Sequence, residues 1–543
     1  MQVQDPVLAE ALTTRPSTAG TEPVLPPHLS ADRLHSLAAN ATLRGGEHEA
    51  LTVTAPFTGE PVGEILLATA GDVAYAAERA RSAQAAWAAR PVAERAQVLV
   101  RFHDLLLERQ AEGLDLVQLE GGKCRYDAFV EYFALAKTAR YYGYHGADYL
   151  RAETRTGFLP LLTQAEVHYP PKGLVGNIAP WNFPILLVIG DVLPALLAGN
   201  AVVVKPSELT PFSALWGAQL LYEAGLPPEV FHVVPGRGEA VGPALIDAVD
   251  YVHFTGSTRV GQIVAEQAGA GLKGLSLELG GKNPVIVRHD ADLGKAVQGI
   301  REACFVGSGQ TCISAERVYV HESIFDDFTA RLAAATEAML VGAGYDFRAH
   351  MGSLISQDQL RRVEAHVDDA VAKGAAVVAG GRALPEAGPF FYAPTLLTGV
   401  TEGMTLYREE TFGPVAALYP FSTDEEAVAH ANDSAYGLNA SVWTRDLSAG
   451  HRIAEQIACG TVGINDGYAA VWSSTDAPMG GMKQSGLGRR HGREGILKFT
   501  EAQTIVTQRL APLTPSAFGL PMSAFAGVVD TAFRLIRHLP GLR

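Results

Sequence analysis

The spacing of apolar and polar positions along this chain switches repeatedly between the helical and the extended period. Residues 71–89 (GDVAYAAERARSAQAAWAA) are alanine-rich with charges gathered on one face, which predicts an amphipathic helix. Short apolar runs at 201–204, 230–234 and 251–254 predict buried strands, with helices at 213–224 and 240–248 between them. Repeated strand–helix units of this kind predict a parallel sheet covered by helices on both faces. A second series follows: strand 284–287, helix 292–305, strand 317–320, helix 324–340, helix 357–373, strand 376–379, helix 425–432 and strand 440–443. The pattern predicts an α/β chain with two parallel-sheet domains joined near 280–285.

Residues 185–204 (ILLVIGDVLPALLAGNAVVV) form the longest apolar stretch, long enough to suggest a membrane span. Asp191, Pro194 and the break Ala198-Gly199-Asn200 predict instead a buried helix, a turn and a core strand ending at Lys205. A smaller third element is predicted where 155–174 holds two extended runs joined by a turn and 500–508 alternates like a strand. Residues 523–538 set Phe525, Val529, Phe533 and Ile536 at spacings of 4, 4 and 3, with Arg534 and Arg537 opposite, which predicts an amphipathic helix. Residues 1–30 are rich in Pro, Thr and Ser and lack an apolar run after a basic start, so a disordered arm is predicted and not a signal peptide.

Composition narrows the classes. A length of 543 residues suits two or three domains, and 48% hydrophobic with 19% charged residues is ordinary for a globular chain with a large core. A net charge of −15 argues against a nucleic-acid partner, whose phosphates would be repelled. The four cysteines (Cys124, Cys304, Cys312 and Cys459) are too few for a disulfide scaffold and fit a reducing cytoplasm. They form no CxxC and no His-Cys cluster with ligand spacing, so no metal is expected.

Cys312, in GSGQTCIS, and Glu278, in LSLELGGKNP, supply candidate chemistry. Glycines at 307 and 309 let a backbone bring a nucleophilic sulfur close to a ligand, and thiolate is the reactive form of cysteine. Glu278 lies between Leu277 and Leu279 beside Gly280-Gly281, where partial desolvation would raise its pKa toward the range of a general base. Taken alone, such a pair is more often an inert thiol and a solvated carboxylate.

The wider context favours chemistry. LSLELGGKNPVIV and GQTCISAERVYV resemble the two active-site motifs of the aldehyde dehydrogenase superfamily. PWNFP at 180–184, VVVKPSELTP at 202–211, FTGSTRVG at 254–261, EETFGPV at 409–415, YGLNASVW at 436–443 and PMGGMKQSGLGRRHG at 478–492 resemble that family too, in its order and at its spacing. The resemblance runs from about residue 50 to about residue 507 and looks closest to bacterial succinate-semialdehyde dehydrogenases with a C-terminal extension. It implies a cofactor-binding domain from 31–154 and 175–282, a catalytic domain at 283–499 and a β oligomerisation arm from 155–174 and 500–510, followed by the 511–543 tail. A homodimer or homotetramer is expected, the arm strands pairing across subunits and covering exposed sheet edges.

The resemblance also implies roles. Cys312 would add to the aldehyde carbonyl, the Asn182 side chain with the Cys312 backbone N–H would hold the oxyanion, and Glu278 would activate the water that releases the acid. Lys282 could modulate the charge of Glu278. Gly256-Ser257-Thr-Arg-Val-Gly261 follows an apolar strand and should open a helix whose N-terminus attracts a pyrophosphate. Alone this is a weak signal, because it departs from the GxGxxG fingerprint. Lys205 and Glu208 match positions for the adenosine ribose, and Glu410 and Phe412 match those beside the nicotinamide ribose and ring. Pro180, Trp181, Ser207, Gly236 and Leu279 complete the expected cofactor set. Glu208 favours NAD, since a carboxylate accepts the 2′-hydroxyl and repels a 2′-phosphate; NADP remains possible.

The substrate is less defined. Succinate semialdehyde carries a carboxylate that arginine would hold in bidentate fashion. Some relatives place that arginine six residues before the cysteine, where this chain has Val306. Arg151, Arg155 and Ser474 are possible substitutes, while Trp181, Phe183, Tyr468 and Trp472 suggest an aromatic mouth for larger aliphatic or aromatic aldehydes. The tail helix is expected to dock over the aldehyde entrance or across the subunit interface, a membrane surface being the less favoured site. A structural or binding protein that kept the fold and lost the chemistry is the non-enzyme alternative.

Overall fold

A computed structural model describes residues 25–157, 163–469, 474–509 and 514–538. It gathers most strands into two sheets. The first has six strands, in the order Gly486–Leu487, Gly274–Glu278, Tyr251–Thr255, Leu174–Ile178, Ala201–Lys205 and Phe231–Val233. All its pairs are parallel except Gly486–Leu487 against Gly274–Glu278. Every residue of Ala201–Lys205 and Tyr251–Thr255 is buried. Helices on both faces require this, and it explains why these strands are continuous apolar runs without alternation.

The strand order has a switch point. From Leu174–Ile178 the chain builds outward through Ala201–Lys205 and Phe231–Val233, then crosses to Tyr251–Thr255 on the other side. At such a reversal the connecting loops part and leave a crevice at the carboxyl ends of the strands. Pro180 and Trp181 follow one of these ends, Gly256 another, and Glu278 and Lys205 terminate two more.

The apolar stretch at 185–204 is wholly buried, but its helix is broken. Leu186–Ile189 gives way to a tight turn at Gly190–Val192 before Leu193–Ala198 resumes with Pro194 in its first turn. Proline is suited to start a helix and lacks the N–H to continue one. Gly199 then reverses the chain at φ +100°, and the expected strand follows. Among the described residues no helix is long and apolar enough to cross a membrane.

The second sheet has seven strands, in the order Ala376–Ala379, Thr395–Thr398, Val415–Phe421, Ala315–His321, Asn283–Val287, Asn439–Trp443 and Thr461–Ile464. Only the first pair is antiparallel. A third sheet joins Gln503–Gln508, Thr163–His168 and Glu153–Arg155. The extended run therefore begins at Glu153, before 155, and Leu174 already belongs to the first sheet. Part of the expected turn, 158–162, lies outside the described residues.

Two further boundaries differ from expectation. Residues 1–24 lie outside the described residues, but 25–30 pack against the body, with Leu29 buried and His28 Nδ1 2.8 Å from the Asp115 carboxylate. The stretch after 485 returns to the first sheet: Gly486–Leu487 pairs there, and Ile496 and Phe499 lie in its core. Buried apolar side chains at both ends of the chain account for these two differences. The tail forms the expected helix, Met522–Ile536, none of whose residues is buried within the single chain. Residues 511–513 and 539–543 lie outside the described residues.

Candidate functional site

Cys312 stands on a loop clamped from several sides. Helix Leu293–Phe305 ends in a turn where Gly307, Ser308 and Gly309 all take positive φ, between +58° and +69°. Gly309 has its α-carbon so close to the Gly413 carbonyl that no side chain would fit there. Asn283 Nδ2 donates to the carbonyl oxygens of Cys312 at 2.8 Å and Ser314 at 2.7 Å, while Asn182 Nδ2 donates to Gln310 O at 3.0 Å. A carboxamide nitrogen carries two hydrogens, so Asn182 keeps a second N–H for another acceptor. Cys312 itself is half-buried. Burial pushes its thiol up to about 12, the Glu410 and Glu278 carboxylates add to the rise, and Arg490 opposes them.

Glu278 ends the strand Gly274–Glu278 and is buried, with Oε1 making no hydrogen bond. Burial holds its carboxyl above the usual range, against the pull of Arg490 and Lys498. Lys282 does not pair with it. The chain crosses to the second sheet at Asn283, and Lys282 meets Glu316 on the neighbouring strand, both side chains buried. The Glu316 carboxylate in turn accepts the backbone N–H groups of Thr411 at 3.0 Å and Phe412 at 3.2 Å. These bonds fix a turn in which Phe412 has φ +56°, a region that bulky residues rarely adopt. The Phe412 ring meets Trp181 edge-on, centroids 5.6 Å apart. Glu410 Oε1 accepts the Gly281 N–H at 2.9 Å, and its carboxylate occupies the space a side chain at Gly280 would need. Burial and the charge of Glu316 raise the Glu410 carboxyl to about 8.

The expected cofactor residues line the crevice. Lys205 is buried with Nζ 3.1 Å from Glu208 Oε2, and Ser207 Oγ accepts the Leu209 N–H at 3.3 Å. A β-carbon at Gly236 would come within 3.0 Å of the Ala68 carbonyl, and one at Gly256 within 2.6 Å of the Phe254 ring. Ser257 caps the helix Thr258–Ala270, accepting the Val260 N–H at 3.4 Å. Gly261 admits Leu279, whose side chain would lie 2.5 Å from a β-carbon there. Buried beside the glycine turn, the Thr255 hydroxyl makes no hydrogen bond. This set fits a dinucleotide: an ammonium and a carboxylate for one ribose, a helix N-terminus for the pyrophosphate, and Glu410 with Phe412 for the second ribose and its ring.

Other candidates fall elsewhere. Arg151 pairs with Asp148 and Arg155 with Glu153, both at the surface, and Ser474 is exposed. Val306 is buried. Phe183 and Tyr468 are also buried, and Phe183 lies under the Lys123 ammonium at 3.9 Å. Trp472 lies outside the described residues. Cys124, Cys304 and Cys459 are buried.

Several functional positions escape sequence reading. Buried Glu131, paired with Lys123, accepts the N–H groups of Ile185 at 2.9 Å and Leu186 at 3.1 Å, which anchors the run carrying Asn182. Arg490 lies 3.6 Å from Glu278 and 3.3 Å from Asp191. Its only signal is membership of the motif at 478–492.

Comparison with known proteins agrees with this geometry. Residues 43–505 match the model of the aldehyde dehydrogenase family. A Mycolicibacterium smegmatis protein, provisionally named an NADP(+) succinate-semialdehyde dehydrogenase, is 48% identical over 509 residues, covering 94% of this chain and 98% of that protein. A phenylacetaldehyde dehydrogenase of Pseudomonas fluorescens is 40% identical over 469 residues, 84% of this chain and 92% of that one. The crystal structure of an NAD-dependent aldehyde dehydrogenase from Sinorhizobium meliloti superposes with a TM-score of 0.82 at 36% identity, covering 86% of this chain and 92% of that one. The chain belongs to the aldehyde dehydrogenase family.

Proposed function

We propose that this enzyme oxidises succinate semialdehyde to succinate through a thioester on Cys312. The observation that carries the chemistry is a half-buried thiol whose charge environment includes a buried carboxylate with an unpaired oxygen, Glu278 Oε1. A thiol pushed up to about 12 is neutral at pH 7, so a base must take its proton as sulfur attacks the carbonyl carbon. Glu278 is that base. The second N–H of Asn182 and the Cys312 backbone N–H hold the oxyanion, each such donor being worth about 3 kcal/mol. When bound, a nicotinamide dinucleotide supplies the acceptor for the hydride the adduct gives up. Glu278 gives the thiol's proton up to solvent, then takes a proton from the water that hydrolyses the thioester and passes it to the departing Cys312 sulfur, which restores the thiol.

Lys205, Glu208, Gly256 and Glu410 hold the dinucleotide. NAD is preferred and NADP accepted, because Glu208 stands where a 2′-phosphate would be repelled while Lys205 beside it offers a compensating charge. The exposed strand Gln503–Gln508 pairs with a second copy of the chain, which covers Ile505 and Val506 at its edge.

The relative named for succinate semialdehyde, at 48% identity, supports that substrate. A second reading, a dehydrogenase of larger apolar or aromatic aldehydes, draws on Arg151 and Arg155 being engaged with local carboxylates and on the phenylacetaldehyde dehydrogenase at 40% identity. Reduced-cofactor formation is measured across succinate semialdehyde, aliphatic and aromatic aldehydes with NAD and with NADP, in wild type and in Cys312→Ala. Highest kcat/KM for succinate semialdehyde, lost in Cys312→Ala, is expected. A tenfold preference for phenylacetaldehyde would favour the second reading, and turnover retained in Cys312→Ala would remove the nucleophile.

A further inference from the structure

Behind the proposed base lies a closed ring of buried polar side chains. Ser276 and Glu278 are two residues apart on one strand, so their side chains leave the same face. His253 is the register partner of Ser276 on the adjacent strand, and its Nδ1 lies 2.6 Å from Ser276 Oγ. His253 Nε2 lies 3.0 Å from Asp191 Oδ2, Arg490 Nη2 reaches the same oxygen at 3.3 Å, and Arg490 Nε faces Glu278 Oε1 at 3.6 Å. The ring thus starts and ends on the strand that carries the base.

Donor directions around the ring are fixed. Burial depresses His253 to about 4, so the ring is neutral at pH 7. Asp191 can only accept, which puts the imidazole proton on Nε2 and turns the Ser276 hydroxyl toward Nδ1. Arginine can only donate. Asp191 therefore holds Nη2 while the neighbouring Nε of the same guanidinium faces Glu278. The two facing atoms, Arg490 Nε and Glu278 Oε1, have no hydrogen-bond partner. An approach of about 0.7 Å would bring them to ordinary hydrogen-bond length. A cavity of about 10 Å3, lined by Tyr142, Asp191, Arg490, His491 and Lys498 among others, adjoins the guanidinium.

We propose that Arg490 is a positioning residue for Glu278: anchored by Asp191, its guanidinium orients the carboxylate and stabilises its charged form during thioester hydrolysis. This rests on Glu278 being the base. A buried carboxylate without a counter-charge would be held largely protonated and unable to activate water. A guanidinium shared with Asp191 supplies that charge without neutralising the base in a tight pair. The charged and titratable groups facing Glu278 are Arg490, Lys498, Asp191, Arg489 and the Cys312 thiol. Removing Arg490 and removing Asp191 therefore act on it with opposite sign.

The test follows thioester hydrolysis against pH by rapid mixing in Arg490→Met, Arg490→Lys, Asp191→Asn and Glu278→Gln, with NAD and succinate semialdehyde. In Arg490→Met the acid limbs of both the NADH burst and hydrolysis should move up by about 1–3 pH units, KM for NAD staying near wild type. Asp191→Asn should move the hydrolysis limb down, a direction that loss of packing would not produce. Arg490→Lys should keep the limb near its wild-type position with slower hydrolysis, since a point charge replaces a planar fork. If Arg490→Met does not fold, Asp191→Asn still decides: an unmoved or raised limb overturns the proposal. Wild-type hydrolysis in Glu278→Gln would instead remove the base itself, while loss of hydrolysis there with unmoved limbs elsewhere overturns only the role of Arg490.

Discussion

Asn283 holds the loop of Cys312 to the second sheet: its Nδ2 donates to the Cys312 carbonyl at 2.8 Å and to Ser314 O at 2.7 Å, while its Oδ1 accepts the Asn439 N–H at 3.0 Å. One buried amide therefore satisfies three backbone groups. Asn283→Leu leaves all three unpaired, at about 1–3 kcal/mol each. The melting temperature should fall clearly, and the NADH burst should slow at least tenfold because the nucleophile is no longer held. Calorimetry and stopped-flow absorbance check both, and a wild-type burst in the variant would show that the clamp does not position the thiol.

Glu278→Gln separates the two chemical stages. Burial raises both the Glu278 carboxyl and the Cys312 thiol, so at neutral pH the thiol needs a base. The variant should release at most one NADH per site and then turn over very slowly. Without the base, the thiol must ionise by itself, and since its pKa lies above that of an ordinary cysteine, the burst rate should keep rising toward alkaline pH. A burst independent of pH, or steady turnover at the wild-type rate, would exclude the role.

Much of this site was legible because its chemistry sits in short segments. Cys312, Glu278, Asn182, Glu410 and Phe412 each lie in a run where glycine or proline borders a reactive residue, and such runs mark themselves in one dimension. The core strands were legible for a related reason: full burial on both faces leaves an unbroken apolar run such as 201–204. What escaped depends on pairing across the chain. Lys282 adjoins the Glu278 strand in sequence, yet its partner is Glu316, because the chain changes sheets at Asn283. Arg490 and Asp191 are about 300 residues apart, and a charge inside an apolar stretch says nothing of its counter-ion until the fold brings them together. The tail helix was legible, but periodicity predicts a helix and its apolar stripe and not the surface that stripe meets.

Cofactor choice turns on Glu208. Its carboxylate is one-third exposed and lies 3.1 Å from buried Lys205 Nζ. Glu208→Ser removes the negative charge and leaves the ammonium without its partner, so kcat/KM for NADP should rise relative to NAD by tenfold or more, about 1.4 kcal/mol. Initial rates with both cofactors measure it. An unchanged ratio means that Glu208 does not face the 2′ position.

The tail helix is exposed on the single chain. Helix Met522–Ile536 carries Phe525, Val529 and Ile536 on one stripe, all half-buried at most, and Phe533 is 54% exposed. A helix that contributes nothing to the core removes no core contact when it is deleted. Truncation before 514 should therefore leave the melting temperature, NAD affinity and the KM for short and long aldehydes unchanged at low protein concentration. If the stripe meets a second copy, truncation will lower the melting temperature only as concentration rises, and sedimentation of the two forms will diverge. A fall in stability at every concentration would mean that the helix packs on its own chain after all. A change confined to long aldehydes would restore the expected position over the substrate entrance.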